Sequence, residues 1–114
     1  MTPRLLIRHE HALNDLEELA SFIARDSLPA ALRLLDAAER AFSQIREMPG
    51  IGASIRYASP RLDGVRRWPI PGYPNHLVFY RCTEDRIEIL RVLHAARDIP
   101  ATLLDEAIGD EEDL

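Results

Sequence analysis

Two amphipathic helical patterns meet at Arg25-Asp26-Ser27-Leu28-Pro29, which leaves no room between them for a loop of ordinary length. From about His11 to Arg25, Leu16, Leu19, Ala20 and Ile23 recur at helical spacing, while Asp15, Glu17 and Glu18 take the other side. The acids crowd the first half and Arg25 stands near the end, as the helix dipole favours. A second pattern opens at once. Ser27 or Leu28 can cap it, and Pro29 suits a first turn, where its missing N–H costs nothing. Ala31, Leu35, Ala38, Phe42 and Ile45 then recur every three or four residues up to Met48, and Pro49-Gly50 stops the run. Helices joined so tightly must fold back as an antiparallel hairpin. Their apolar stripe covers only about two and a half heptads, too few for a coiled coil, so it predicts packing against a core.

That core has to come from strands. Arg4 to Arg8 reads as a short strand with charged ends, suited to a sheet edge. Residues 49 to 64, rich in glycine, proline and serine, predict a long loop. Val65 to Ile70, Leu77 to Cys82 and Arg86 to Leu93 predict three further strands. Pro69 and Pro71 limit the first of these, and Thr83-Glu84-Asp85 turns between the last two. The last strand is apolar on both faces and predicts a central position under the hairpin. Asp98 can cap a short helix that opens with Ile99-Pro100, carries Leu103, Leu104 and Ile108, and ends at Gly109. The expected fold is α+β: an N-terminal strand, an antiparallel helical hairpin on a mainly antiparallel sheet with a three-strand C-terminal meander, and a short C-terminal helix. Residues 1 to 109 are expected to form one domain and 110 to 114 an acidic, disordered tail.

With 114 residues the chain can bury one core without disulfides, and Cys82, its only cysteine, cannot form one internally. As a small buried residue, Cys82 is expected to be inert. No apolar run approaches the roughly 18 to 20 residues that span a bilayer, and only Leu5, Leu6 and Ile7 stand together near the start, too few for a signal peptide. A cytoplasmic protein without membrane contact is expected. The net charge of −5 hides three regimes. Residues 1 to 55 carry six arginines against eight acids, residues 56 to 97 eight against four, and residues 98 to 114 seven acids and no base. The overall balance argues against a general nucleic-acid binder. Every basic side chain is arginine, which removes lysine from any mechanism.

Three kinds of site are open to such residues. Cleavage of RNA needs a base, an acid and cations. His94 can serve as base or acid, and Arg61, Arg66, Arg67, Arg81 or Arg97 as the cation. No clear second acid or base accompanies them: His9 and His11 are far away in sequence, His76 lies in a proline-rich turn, and the facing of Glu88 is open. His94 equally reads as a half-buried, hydrogen-bonded histidine at a strand end. A metal or cofactor is not expected. His9 and His11 are two apart, without carboxylates at ligand spacing, and Pro-Gly-Ile-Gly follows a helix instead of the strand that a phosphate cradle needs. The third kind is a recognition surface. Arg66 and Arg67 fall on opposite faces of one strand, and Arg81, Arg91 and Arg97 add positive charge to the same sheet, either for a partner or as solvated pairs with Asp63, Glu84, Asp85 and Glu88.

The order of elements, with "MPGIG", "RLDGVRRWPI", "HLVFYR" and above all "RIEILRVLHAARDIP", resembles the ParE toxins of the RelE/ParE superfamily over about residues 4 to 100. The resemblance implies the toxin of a type II toxin–antitoxin module, an inhibitor of DNA gyrase without catalysis of its own. It further implies an antitoxin of the ribbon-helix-helix, ParD-like type, whose C-terminal segment folds along the toxin. Sequence-specific DNA binding then belongs to that partner and not to this chain. RelE members of the fold instead cut mRNA on the ribosome with lysine, arginine and a C-terminal tyrosine or histidine. This chain lacks the lysine, and Ala95-Ala96 follows His94 without a tyrosine, so cleavage through His94 and Arg81 is the alternative. Arg61, Arg66, Arg67, Arg81, His94 and Arg97 are the residues expected to contact target or antitoxin.

Overall fold

A computed structural model of the chain describes residues 4–97 and 99–105. Five strands form one sheet: β1 (Leu5–Arg8), β2 (Ala53–Ser54), β3 (Arg66–Ile70), β4 (Tyr73–Cys82) and β5 (Arg86–His94), in the order β1-β5-β4-β3-β2. β1 lies at an edge and pairs with β5 in parallel; every other pairing is antiparallel. The parallel pairing follows from the connection, since the helical hairpin α1 (Glu10–Ala24) and α2 (Leu28–Glu47) carries the chain from one sheet edge to the other. Ser27 is the cap: its Oγ accepts from the Ala30 N–H at 3.2 Å, and Pro29 sits in the first turn.

The hairpin covers one face of the sheet, α1 over β5 and α2 over β3. Leu16, Ala20, Leu34, Ala38, Phe42 and Ile45 pack there on Val78, Tyr80, Ile87, Ile89 and Val92. The small residues at 31, 37, 38 and 41 let α2 approach the sheet closely. Leu34 takes the core position expected of Leu35, which is 36% exposed; the α2 stripe turns by one residue between Ala31 and Ala38. The other face holds a second cluster of Leu62, Val65, Leu77, Phe79, Leu90, Leu93 and Leu103. A short 3₁₀ turn at Pro60–Leu62 and helix α3 (Ile99–Asp105) cover it. Apolar residues on both faces of β5 thus meet two separate cores.

Four details depart from the sequence expectations. The 49–64 loop contains β2, which pairs Ala53 and Ser54 with Arg67 and Arg66. β4 begins at Tyr73, four residues early, because Gly72, at φ +86°, turns the chain straight back after β3. The middle of the sheet is β4, with β5 between it and the β1 edge. Cys82 is half-buried; burial pushes its thiol up, against the opposing charges of Arg4 and Arg66. The expected Asp98 cap, Ile108, Gly109 and the 110–114 tail lie outside the described residues.

Candidate functional site

The end of β5 is set by a bulge. Phe79 pairs with Arg91 and Tyr80 with Ile89, so Leu90 has no opposite residue and the strand twists there. Leu90 enters the second core, and Arg91 swings to α1 just past the point where β1 stops. Arg91 meets Asp15 in a two-pronged pair, Nε to Oδ2 at 2.7 Å and Nη2 to Oδ1 at 2.8 Å. The Val92 N–H donates to the same Oδ2 at 2.9 Å. Both side chains are nearly inaccessible, 6% and 9% exposed, so this pair is shielded from solvent screening. It clamps α1 to the last turn of the sheet. The acid in the expected polar stripe of α1 is therefore structural, and the arginine in an otherwise apolar strand is its counterion.

Beyond the clamp the strand end opens to solvent. His76 and His94 are direct cross-strand partners with ring centroids 5.1 Å apart in an edge-to-face arrangement. His94 is exposed, not half-buried as the sequence suggested. Its Nδ1 accepts from the Ala96 N–H at 3.0 Å, which leaves Nε2 as the protonated nitrogen of the neutral ring. Its carbonyl accepts from the Arg97 N–H at 3.1 Å, and the Ala95 N–H donates to the Asn75 carbonyl at 2.8 Å, so a tight turn presents Arg97 beside the two rings. Burial holds the pKa of His76 below its usual value, and the neighbouring His94 adds to the effect. A cleft of about 250 Å³ runs between these rings and Leu19, Glu18 and Asp15 of α1. A second, lined by His11, Asn14, Arg91 and Arg97, shares the two acids with it.

The remaining arginines stand elsewhere. Arg66 points to the helix side, where its Nη1 donates to the Gly52 carbonyl at 2.8 Å. Arg67 lies on the opposite face and is exposed. The stem of Arg81 crosses Gly64, and its Nη1 reaches toward the Arg61 carbonyl at 3.5 Å. With Arg91 buried on Asp15 and Arg66 turned inward, no single basic sheet face forms. The candidates separate into His94 and Arg97 at the strand end, and Arg61, Arg67 and Arg81 beside the 55–64 loop.

Two partners of the strand end escaped the sequence. His76 sits in what reads as a turn, and only the early start of β4 brings it opposite His94. Glu18 belongs to a helix whose rotation over β5 periodicity leaves undefined. Glu88, whose facing was open, pairs with His9 through Oε1 and Nε2 at 3.0 Å, tying the β1–α1 junction to β5. Among the described residues no group of three or more His, Cys, Asp or Glu side chains is placed to hold a metal ion, and no helix is long and apolar enough to cross a membrane.

Comparison with known proteins bears on this arrangement at two levels. No curated protein matched the sequence. Among solved structures, a chain of the chromosomal ParDE toxin–antitoxin system from P. aeruginosa superposes with a TM-score of 0.65 at 18% identity, over 80% of this chain and 95% of that one. That likeness speaks for the fold. The family description "ParE toxin of type II toxin-antitoxin system, parDE" matches residues 6–99, from within β1 to the first residue of α3. A match across the hairpin, the meander and the whole strand end places this chain in the ParE family of type II toxins.

Proposed function

We propose that this chain acts in the cytoplasm as the toxin of an antitoxin pair, that its target is DNA gyrase, and that it blocks the enzyme by binding and not by chemistry of its own. The family match over residues 6–99 carries this reading. The geometry of the candidate residues supports the non-catalytic part. The Nδ1 of His94 is engaged by backbone, and Arg66 reaches a main-chain carbonyl. Tyr80 is fully buried, with its hydroxyl bonded to the Pro49 carbonyl, and the pKa of Tyr57 is pushed up by burial against the pull of Arg67. Arg66 and Tyr80 are thereby tied to the main chain, and His94 keeps only its Nε2 for the cleft it shares with His76.

The strand end is the surface assigned to the target. His94 and Arg97 are both exposed there, held by the turn and backed by a clamp that fixes the strand beneath them. Replacing both, His94→Ala with Arg97→Ala, removes the two groups that a partner can pair with and leaves the cores intact. The variant is expected to fold, to bind its antitoxin and to lose growth inhibition; growth inhibition at the parent level, with normal unfolding behaviour, overturns the assignment.

The antitoxin is assigned to a ParD-like, ribbon-helix-helix protein. α2 carries Leu28, Leu32 and Leu35 on one exposed stripe, and such a stripe suits an amphipathic helix that orders on binding. Acidic residues of that segment can meet Arg67, Arg61 or Arg81, which adds a salt-dependent part to the affinity.

A further inference from the structure

The backbone N–H groups of residues 95, 96 and 97 are all held, and His94 holds two of them. The Ala95 N–H donates to the Asn75 carbonyl at 2.8 Å, the Ala96 N–H to the His94 Nδ1 at 3.0 Å, and the Arg97 N–H to the His94 carbonyl at 3.1 Å. The bond to Nδ1 reaches two residues forward, as an asparagine or aspartate side chain does when it closes an Asx turn. An imidazole can do this only with the nitrogen that carries no proton, so the tautomer of His94 becomes part of the turn. The ring is braced from β4 as well: His76, its direct cross-strand partner, meets it edge to face with centroids 5.1 Å apart. Arg97 is exposed and lines both clefts beside α1, and its backbone, fixed by His94, sets where the guanidinium can go.

We propose that His94 is a positioning residue: its Nδ1 closes the 94–97 turn and thereby holds Arg97 toward the target, while Arg97 makes the contact. The target part rests on the proposed function; the hold on the turn does not. A long arginine side chain loses conformational freedom when it is bound, and a backbone already fixed beneath it lowers that cost. The two nitrogens of His94 thus have separate duties. With Nδ1 engaged as an acceptor, Nε2 carries the ring proton and faces no partner in the turn. Asparagine and glutamine separate the two positions. The asparagine Oδ1 is bonded to Cγ, as Nδ1 is, and can accept from the Ala96 N–H. The glutamine amide lies one atom further out and stands in for Nε2.

The test compares the parent with full-length His94→Asn, His94→Gln and His94→Ala. Ring-nitrogen spectra and amide exchange are read at about pH 8, above the ordinary histidine range, and toxicity as the inducer level that halves growth. In the parent, the His94 ring is expected to carry its proton on Nε2 and none on Nδ1. His94→Asn is expected to keep the parent's exchange rate at Ala96, whereas His94→Gln and His94→Ala speed it by roughly two- to tenfold, the span of one ordinary hydrogen bond. Growth inhibition is expected in the same order, at the parent level for His94→Asn and severalfold weaker for the other two. A proton on Nδ1 in the parent, or one exchange rate in all three variants, overturns the hold on the turn. Inhibition kept by His94→Gln, or lost by His94→Asn with its turn intact, overturns the positioning of Arg97. A parent that leaves growth unaffected contradicts the proposed function, and the exchange rates alone then decide the hold on the turn.

Discussion

Asp15→Ala is expected to cost about 3 to 5 kcal/mol, because it takes the two-pronged Asp15 carboxylate away from the buried Arg91 guanidinium. For a domain whose whole stability is of order 5 to 15 kcal/mol, this brings the variant close to unfolding. Two losses add up. The guanidinium forfeits both prongs of a bidentate pair, and the Val92 N–H forfeits its acceptor on the same carboxylate. Removing the charge on both sides separates the contributions. In Asp15→Leu with Arg91→Met the buried guanidinium is gone and the Val92 donor stays unpaired, worth about 1 to 3 kcal/mol, so the double variant is expected to be more stable than Asp15→Ala. Urea unfolding of the three proteins at neutral pH reads this order. A single variant that unfolds at the parent's midpoint contradicts the clamp.

The second large effect is expected where the chain leaves α2. A side-chain carbon at Gly52 stands 2.6 Å from the Tyr80 hydroxyl and 2.7 Å from the Arg67 carbonyl, and the latter is backbone held in the sheet. Gly52→Ala therefore forces the β2 strand off β3, and is expected to cost about 1 to 3 kcal/mol or more by overpacking. The same tyrosine joins the segment by two hydrogen bonds: it accepts from the Gly52 N–H at 2.8 Å and donates to the Pro49 carbonyl at 2.7 Å. Tyr80→Phe leaves two main-chain groups without their partner at about 1 to 3 kcal/mol for each that stays dry. Because both substitutions break one contact, the double variant is expected to lose clearly less than the two single losses combined. Strict additivity in denaturation midpoints contradicts the shared anchor.

The "PGIG" and "VFYR" segments show how far the sequence speaks. Pro49-Gly50 announces the end of α2, and the apolar run at 77–82 announces a strand. The need for glycine at 52 becomes visible only once Tyr80 and β3 are in place, since it comes from a close approach and not from a turn. The same limit governs the site. Helix periodicity reveals the hairpin and the buried positions of α1, but the single-residue drift in α2 exchanges Leu34 for Leu35, because an ideal repeat does not report which side of a ridge meets the sheet. The bulge at Leu90 hides its consequence in the same way: simple alternation does not tell that Arg91 reaches α1 to meet Asp15. That His94 and Arg97 stand at a strand end was legible because they follow a long apolar strand. His76 was not, for its role depends on a register with β5 that exists only because the turn at Gly72 starts β4 early.

Under the proposed function, this ParE-family chain stops DNA gyrase. The most direct test is pulse labelling of DNA and protein synthesis in the first minutes after the chain is induced without its partner. A prompt fall in DNA synthesis with translation intact is the predicted result, and the His94→Ala, Arg97→Ala variant is expected to abolish it. A prompt fall in translation while DNA synthesis continues contradicts the account and points to mRNA cleavage in the cleft of His76, His94 and Arg97.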